Sequence, residues 1–233
     1  MIMNKEKIKK FWDERASTYN SVSFESIANL EEDPENLQLK IELETAKVFD
    51  FLGDIKGYRF LDLGAGVGQW AFRFMEHGAE LVKAVEYSAD LASIGAAEAA
   101  NRGVDNLEFL VSPAEEFIAT DKYDIVFISG LFVYLNDEQS DRLMKNIKHA
   151  LGPDTIICLR DGTGLVKRHE IDDKPSAHLK ANYSATYRTR SQYIDLFKES
   201  GFSLIKDDDM FDDDCPLNKY PETRLRIYLF KLD

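Results

Sequence analysis

The sequence predicts an α/β protein: a doubly wound, mostly parallel sheet of seven strands with an antiparallel last strand and helices on both faces. An N-terminal helical cap and a cap insertion complete it. Three observations lead there. From residue 58 onward, short apolar runs alternate with stretches of helical periodicity, the pattern of strand–helix–strand units around a parallel sheet. Near the end two apolar runs, 202–206 and 224–231, follow one another with no helix between them, so they pair antiparallel. Before residue 58 the apolar positions recur at helical spacing only.

Taken in order, Ile8, Phe11 and Trp12 share one helical face, and so do Leu37, Ile41 and Val48. The polar stretch 17–33 between them, ending in Asp33-Pro34, reads as a mobile connection. Residues 58–63 are a strand running into glycines, and 69–76 continue as a helix. A strand over 81–86 precedes an Ala-rich helix over 89–101, ended by Gly103. After the strand at 107–111, Pro113 opens a helix over 113–119. Residues 123–129 are a buried strand, and 136–151 an amphipathic helix closed by Gly152-Pro153. The fifth strand is 155–159, and 189–200 a helix stopped by Gly201. Residues 162–188 are far longer than the two to six residues usual for such a connection, which marks them as functional. Residues 1–57 thus form the N-terminal cap, and 58–233 the main domain with its insertion at 162–188.

Composition narrows the function. The chain has 233 residues, 44% hydrophobic and 30% charged, which is globular rather than disordered. Apolar runs fall well short of the roughly 18 residues a membrane span needs. The basic start has no apolar segment after it, so a cytoplasmic protein is expected. Cys158 and Cys215 lack metal-ligand spacing and read as reduced thiols. With 42 Asp+Glu against 29 Lys+Arg, the net charge is −13, the wrong sign for a protein whose main partner is a nucleic acid.

The chemistry concentrates in Phe60-Leu61-Asp62-Leu63-Gly64-Ala65-Gly66-Val67-Gly68. Glycines after a strand permit a tight turn and let backbone approach a ligand. Glu86 ends the next strand, 22 residues beyond Gly64, where an acid grips a ribose diol. The spacing Gly-x-Gly-x-Gly and the carboxylate of Asp62 oppose a pyrophosphate. They suit S-adenosylmethionine, with its ammonium and sulfonium.

This segment resembles the first motif of the S-adenosylmethionine-dependent methyltransferases with the Rossmann-like (class I) fold. The resemblance extends through Ala84-Val85-Glu86-Tyr87-Ser88, Phe109-Leu110-Val111-Ser112-Pro113-Ala114-Glu115-Glu116 and Tyr123-Asp124-Ile125-Val126-Phe127-Ile128-Ser129-Gly130. It continues in Ala150-Leu151-Gly152-Pro153-Asp154 and from Tyr187-Arg188-Thr189 to Gly201-Phe202. The resemblance implies an antiparallel seventh strand. It also implies that Asp62, Gly64, Ala65, Gly66 and Gly68 surround the methionine part of the cofactor. Glu86 would accept both ribose hydroxyls, with Tyr87 against the adenine, and Ala114 and Glu115 at the adenine edge. Pro113 stands where many relatives have Asp. Ser129 and Gly130 would offer backbone carbonyls to the ammonium. Phe11-Trp12-Asp13-Glu14-Arg15-Ala16 with Tyr19 resembles the helix that caps the cofactor, where Arg15 or Tyr19 meets its carboxylate.

Methyl transfer is an in-line displacement in which placement of the acceptor supplies much of the rate. A hydroxyl acceptor also needs a base or a metal, and no metal site is expected. Candidates at the sheet's C-terminal edge are Tyr134, Asp161 and His178, with Arg160, His169, Tyr183 and Tyr187 beside them. Asp161 could hold a cationic amine, accept a proton or cap the turn at Gly162. Arg160 suits an acidic acceptor or a pair with Asp161. His169 and His178 lie in the insertion, where a loop histidine is more often solvated. The acidic run Asp207–Asp209 with 212–214 lacks calcium-loop spacing and reads as a solvated connection.

The expected function is methylation of an N or O atom of a small metabolite or sugar, by a monomer or a homodimer. A transfer RNA base methyltransferase is the alternative, since Arg160-Asp161-Gly162 and Tyr187-Arg188-Thr189 are similar to segments of such enzymes. A nicotinamide oxidoreductase is opposed by Asp62. A cofactor-binding subunit without turnover is the remaining reading.

Overall fold

Strand β1 (Arg59–Leu63) pairs in parallel with β2 (Leu81–Glu86) on one side and with β4 (Tyr123–Ser129) on the other. Beyond β2 lies β3 (Leu107–Val111), and beyond β4 lies β5 (Leu151–Gly164). The last two strands are β8 (Phe202–Asp209) and β9 (Thr223–Leu232). β9 inserts between β5 and β8 and runs antiparallel to both. The main sheet order is therefore β3-β2-β1-β4-β5-β9-β8; its antiparallel last strand is as the sequence predicts. The computed structural model describes residues 5–17, 22–29, 31, 33–176 and 181–233.

Side chains alternate across a strand, so each face of the sheet buries its own core. On one face Leu61, Val126, Ile128 and Leu159 pack against α6 (Asp137–Asn146) and α7 (Arg190–Glu199). On the other, Phe60, Phe127 and Cys158 meet α3 (Pro34–Leu52) and α4 (Gln69–Glu76). There Phe60 and Phe74 stack with ring centroids 4.2 Å apart. Helix α5 (Ala89–Arg102) is N-capped by Ser88 and closed by left-handed Gly103. Among the described residues, no helix is long and apolar enough to cross a membrane.

Ahead of the sheet lie α1 (Lys5–Ala16) and a single helical turn, α2 (Phe24–Ile27), inside the stretch expected to be an unstructured connection. Asp33 caps α3 by accepting the Asn36 N–H at 2.8 Å, with Pro34 in the first turn, where a missing N–H costs nothing. Helix α1 is anchored on α5 by the Ser88 hydroxyl, which donates to Asp13 at 2.6 Å.

Four local expectations differ from the structure. Residues 113–119 form a turn and an extended stretch, not a helix. Seven residues are too few to nucleate a helix without support, and neighbouring side chains take their polar groups instead. Gln139 donates to the Glu115 carboxylate at 3.0 Å, and Asn146 to the Glu115 carbonyl at 2.9 Å. Helix α6 stops at Asn146 and tightens into a 3-10 turn, Ile147–Ala150, so β5 starts earlier than expected and runs far longer. The connection 162–188 is no loop: β6 (His169–Ser176) and β7 (Ala181–Thr189) make an antiparallel hairpin. Its base joins the sheet where Thr163 and Gly164 of β5 pair with Arg188 and Thr189. Its polar sequence carries little strand signal, and packing against the sheet edge and α1 overrides that. Finally, Asp207–Asp209 belongs to β8 rather than to a solvated connection. Asp207 accepts from Arg190 and Arg226 at 2.7 Å each, Asp209 pairs with Arg226, and Asp208 accepts from Lys47 at 2.6 Å.

Candidate functional site

The turn from β1 to α4 holds Gly64, Gly66 and Gly68 at φ of 78°, 59° and 84°, a region that side chains with a Cβ rarely adopt. Space is short as well. A Cβ on Gly68 would sit 2.5 Å from the Phe109 ring, and one on Gly64 3.1 Å from Leu131. The turn is tied to the next strand through Glu86, whose two oxygens accept the N–H groups of Gly66 at 2.8 Å and Ser88 at 2.7 Å. Glu86 is buried, and burial pushes its pKa above the ordinary value against the pull of these bonds. A carboxylate offers about four lone-pair sites, so the backbone N–H donors leave a site open to a ribose hydroxyl.

Asp62 lies two residues before the first glycine, 2% exposed, and its Oδ2 has no hydrogen-bond partner. Burial, with the nearby charge of Glu86 adding to it, raises its pKa to about 8. An orphaned carboxylate is costly in such a place and is relieved by a cationic group. The donor set therefore fits a ligand with an ammonium and a ribose.

Asp62, Gly64, Gly66 and Glu86 open into one cavity of about 650 Å³ at the C-terminal edge of the sheet, a size suited to small-molecule ligands. Ala65, Tyr87, Ala114, Glu115, Ser129 and Gly130 also line it. Gly68 is instead the N-cap of α4, and Pro113 lies outside the wall. Arg15 turns from the cavity and donates to the carbonyls of Ser26 at 3.0 Å and Ile27 at 3.3 Å. Tyr19 and His178 lie outside the described residues.

The far end of the cavity is aromatic and hydroxylated. The hydroxyls of Tyr134 and Tyr183 are 3.3 Å apart, and those of Tyr183 and Tyr187 are 3.4 Å apart. Trp12 of α1 meets the Tyr134 ring edge-on, centroids 5.6 Å apart, and Phe11 meets Tyr183. Burial raises the pKa of all three tyrosines, so they stay neutral donors at physiological pH. His169 lines the same wall, its ring 6.0 Å from that of Tyr187. Asp161 is fully buried, and its carboxylate accepts the N–H groups of Phe132 and Gly162 at 2.7 Å each. Burial lifts its pKa to about 7 despite those two bonds.

Sequence reasoning passed over Lys40, Glu44 and Lys219, which also line the cavity. Glu44 carried a signal: it shares the inward face of α3 with Val48, one turn on, and both are buried. A carboxylate within an apolar stripe needs a buried cation, which here is Arg160.

A parallel sheet closed by one reversed strand, with a glycine turn at the C-terminal end of β1, is the frame of the class I S-adenosylmethionine-dependent methyltransferases. Residues 60–154 match the family model described as Methyltransferase domain. It is similar to the alpha N-terminal protein methyltransferase 1 of Drosophila melanogaster, 24% identical over 205 residues, spanning 86% of this chain and 68% of that one. Among solved structures, it resembles the 1,6-didemethyltoxoflavin-N1-methyltransferase of Burkholderia thailandensis with bound 1,6-didemethyltoxoflavin and S-adenosylhomocysteine. That match has a TM-score of 0.70, 16% identity, and covers 100% of this chain and 92% of the other. The complex of DhpI with SAH matches at a TM-score of 0.66 and 15% identity, over 98% of both chains. At such identities these structures establish the shared fold.

Asp62 yields a first prediction. From about pH 4 to 8 the unfolded chain releases this proton while the folded chain keeps it, so the group lowers stability as pH rises through that window. At pH 8 Asp62→Asn is therefore expected to raise the Tm of the ligand-free protein by about 2–4 °C, if about 1 kcal/mol is recovered. The gain should vanish near pH 4, and calorimetry with S-adenosylhomocysteine should show weaker binding. A lower Tm at pH 8 would refute the assignment of strain to this carboxyl.

Proposed function

We propose that the enzyme transfers a methyl group to an N or O atom of a small metabolite. The supporting observation is that the acceptor end of the cavity is continuous with the glycine turn and is walled by α1, the turn at Tyr134, the β6–β7 hairpin and the β8–β9 connection. Residues 1–57 and 162–188 act as caps over it, excluding water.

When bound, the cofactor supplies an electrophilic methyl carbon on a sulfonium. Asp62 holds the ammonium, with the carbonyls of Ser129 and Gly130 beside it. Glu86 holds the ribose hydroxyls, Tyr87 lies against the adenine, and Ala114 and Glu115 meet its edge. Trp12 and Tyr134, whose rings meet edge-on in the cavity wall, would help to hold the acceptor. The phenols of Tyr134, Tyr183 and Tyr187 orient the acceptor by donating hydrogen bonds. Asp161, with a pKa of about 7, takes the acceptor's proton when that acceptor is a hydroxyl or a protonated amine.

Calorimetry with S-adenosylhomocysteine against NAD tests the cofactor half, and transfer of labelled methyl to a metabolite pool tests the acceptor half. Asp161 is tested by its pH profile. Turnover should fall as pH drops below about 7. Asp161→Asn should flatten that limb and lower kcat by about 10²-fold or more, the usual worth of a general base. Normal turnover in the variant would leave Asp161 with its structural role alone.

A second reading is favoured by the likeness to an alpha N-terminal protein methyltransferase: the acceptor would be a protein's terminal amine. Label recovered in protein instead of metabolites would decide for it. The transfer RNA alternative remains opposed by the charge of −13, and tight, salt-sensitive binding of transfer RNA would restore it.

A further inference from the structure

The cavity has a charged lobe that the cofactor roles leave unused. Ser129, at the end of β4, pairs in register with Arg160 within β5, and alternation puts both on the sheet face that α3 covers. From α3, Glu44 reaches the Arg160 guanidinium, which also donates to the Ser129 hydroxyl at 2.8 Å. The Arg160 side chain is 10% exposed, and its Nε has no partner. Lys40, one turn before Glu44, donates to Asn29 at 2.6 Å and stands 4.0 Å from the Glu44 carboxylate. On the β8–β9 connection, Lys219 pairs with the buried Glu31 at 2.5 Å. All five charged residues line the cavity.

Three cations thus face two carboxylates, and one positive charge with an orphaned N–H remains. A surplus cation in a part-buried cluster draws a counter-ion. Lys40 reports the same imbalance. Burial lowers its pKa first; Glu44 and Glu31 oppose that, and the charges of Arg160 and Lys219 add to it. An arriving oxyanion would take the free Nε–H of Arg160 and balance the lobe, with charge-assisted bonds stronger than neutral ones.

We propose that this lobe, built from Lys40, Arg160 and Lys219, binds a carboxylate or equivalent oxyacid group of the methyl acceptor, so that the substrate is a small organic acid. The inference rests on the small-molecule reading above. It makes Arg160, Lys40 and Lys219 determinants of specificity.

The test divides a metabolite extract by anion exchange at pH 7 into retained and unretained pools. Each pool is then incubated with the enzyme and methyl-labelled S-adenosylmethionine. Label should enter compounds of the retained pool. Lys219→Gln, a change at a partly exposed position, should raise KM for that acceptor by about tenfold, the worth of one such bond, while S-adenosylhomocysteine binds as before. Lys40→Met should act in the same direction. Label confined to the unretained pool, to protein, or to no pool at all while S-adenosylhomocysteine still binds would overturn the proposal. So would a loss of S-adenosylhomocysteine affinity in Lys219→Gln, which would give the lobe to the cofactor's own carboxylate. Failure of the wild-type protein to bind S-adenosylhomocysteine would instead overturn the functional reading beneath it.

Discussion

Glu86→Ala is expected to weaken S-adenosylhomocysteine binding by about 10- to 100-fold, or about 1.4–2.8 kcal/mol. The carboxylate sits at the end of β2, 8% exposed, where each oxygen already accepts one N–H. Ribose hydroxyls would use its remaining lone pairs, and bonds to a charged acceptor are the strong ones. Truncation removes those bonds and also frees the N–H groups of Gly66 and Ser88, loosening the turn that cradles the cofactor. Glu86→Gln separates the two effects. Its single carbonyl oxygen can serve only some of these donors, so affinity should fall between wild type and Ala. Calorimetry measures the affinity, and a thermal melt without ligand measures the loosening. Unchanged affinity in Glu86→Ala would remove the residue from the cofactor site.

The second large effect is expected at Arg188, which is 3% exposed at the end of β7. One guanidinium nitrogen donates to the Phe132 carbonyl at 2.8 Å. The other donates to the Leu135 carbonyl at 2.9 Å, Asp137 at 2.7 Å and the Ser140 hydroxyl at 3.0 Å. One side chain thus fastens the hairpin to the turn that carries Tyr134 and to the start of α6. Arg188→Ala strands two buried carbonyls and should cost about 2–4 kcal/mol, the penalty of leaving buried acceptors unpaired. At about 2–4 °C per kcal/mol for a chain of this size, the Tm should fall by the order of 10 °C. Turnover should fall further than stability alone explains, because Tyr134 loses its support. Arg188→Lys should rescue little, since an ammonium lacks the planar fork that reaches several acceptors at once. A Tm within 2 °C of wild type, roughly a kcal/mol or less, would show the network to be dispensable.

Much of the glycine-turn end of the cavity was legible before the structure. Asp62, the three glycines and Glu86 occupy a strand–turn–helix segment and the next strand end, so their proximity follows from local geometry and one parallel pairing. Asp62 being orphaned was not legible, because it depends on what every neighbouring element leaves unpaired. The hairpin was missed for a related reason. Residues such as His169-Glu170-Ile171-Asp172-Asp173 lack the alternation of a half-buried strand; the sheet edge and α1 hold them, with Lys7 paired to Asp173. Residues 113–119 fail in the opposite direction. Local propensity favoured a helix, and Gln139 and Asn146, more than twenty residues on, captured the polar groups.

The sequence by itself determined the alternation of strands and helices and the antiparallel last strand, and it pointed to the type of ligand that a glycine turn with two carboxylates suits. Those properties rest on periodicity and on groups close along the chain or one pairing apart. Tertiary structure alone decided the acceptor end. Lys40, Glu44, Arg160 and Lys219 come from three elements up to 179 positions apart, and only folding brings them to one cavity. That juxtaposition, which no residue shows alone, leaves one cation in surplus and the Arg160 Nε–H without a partner.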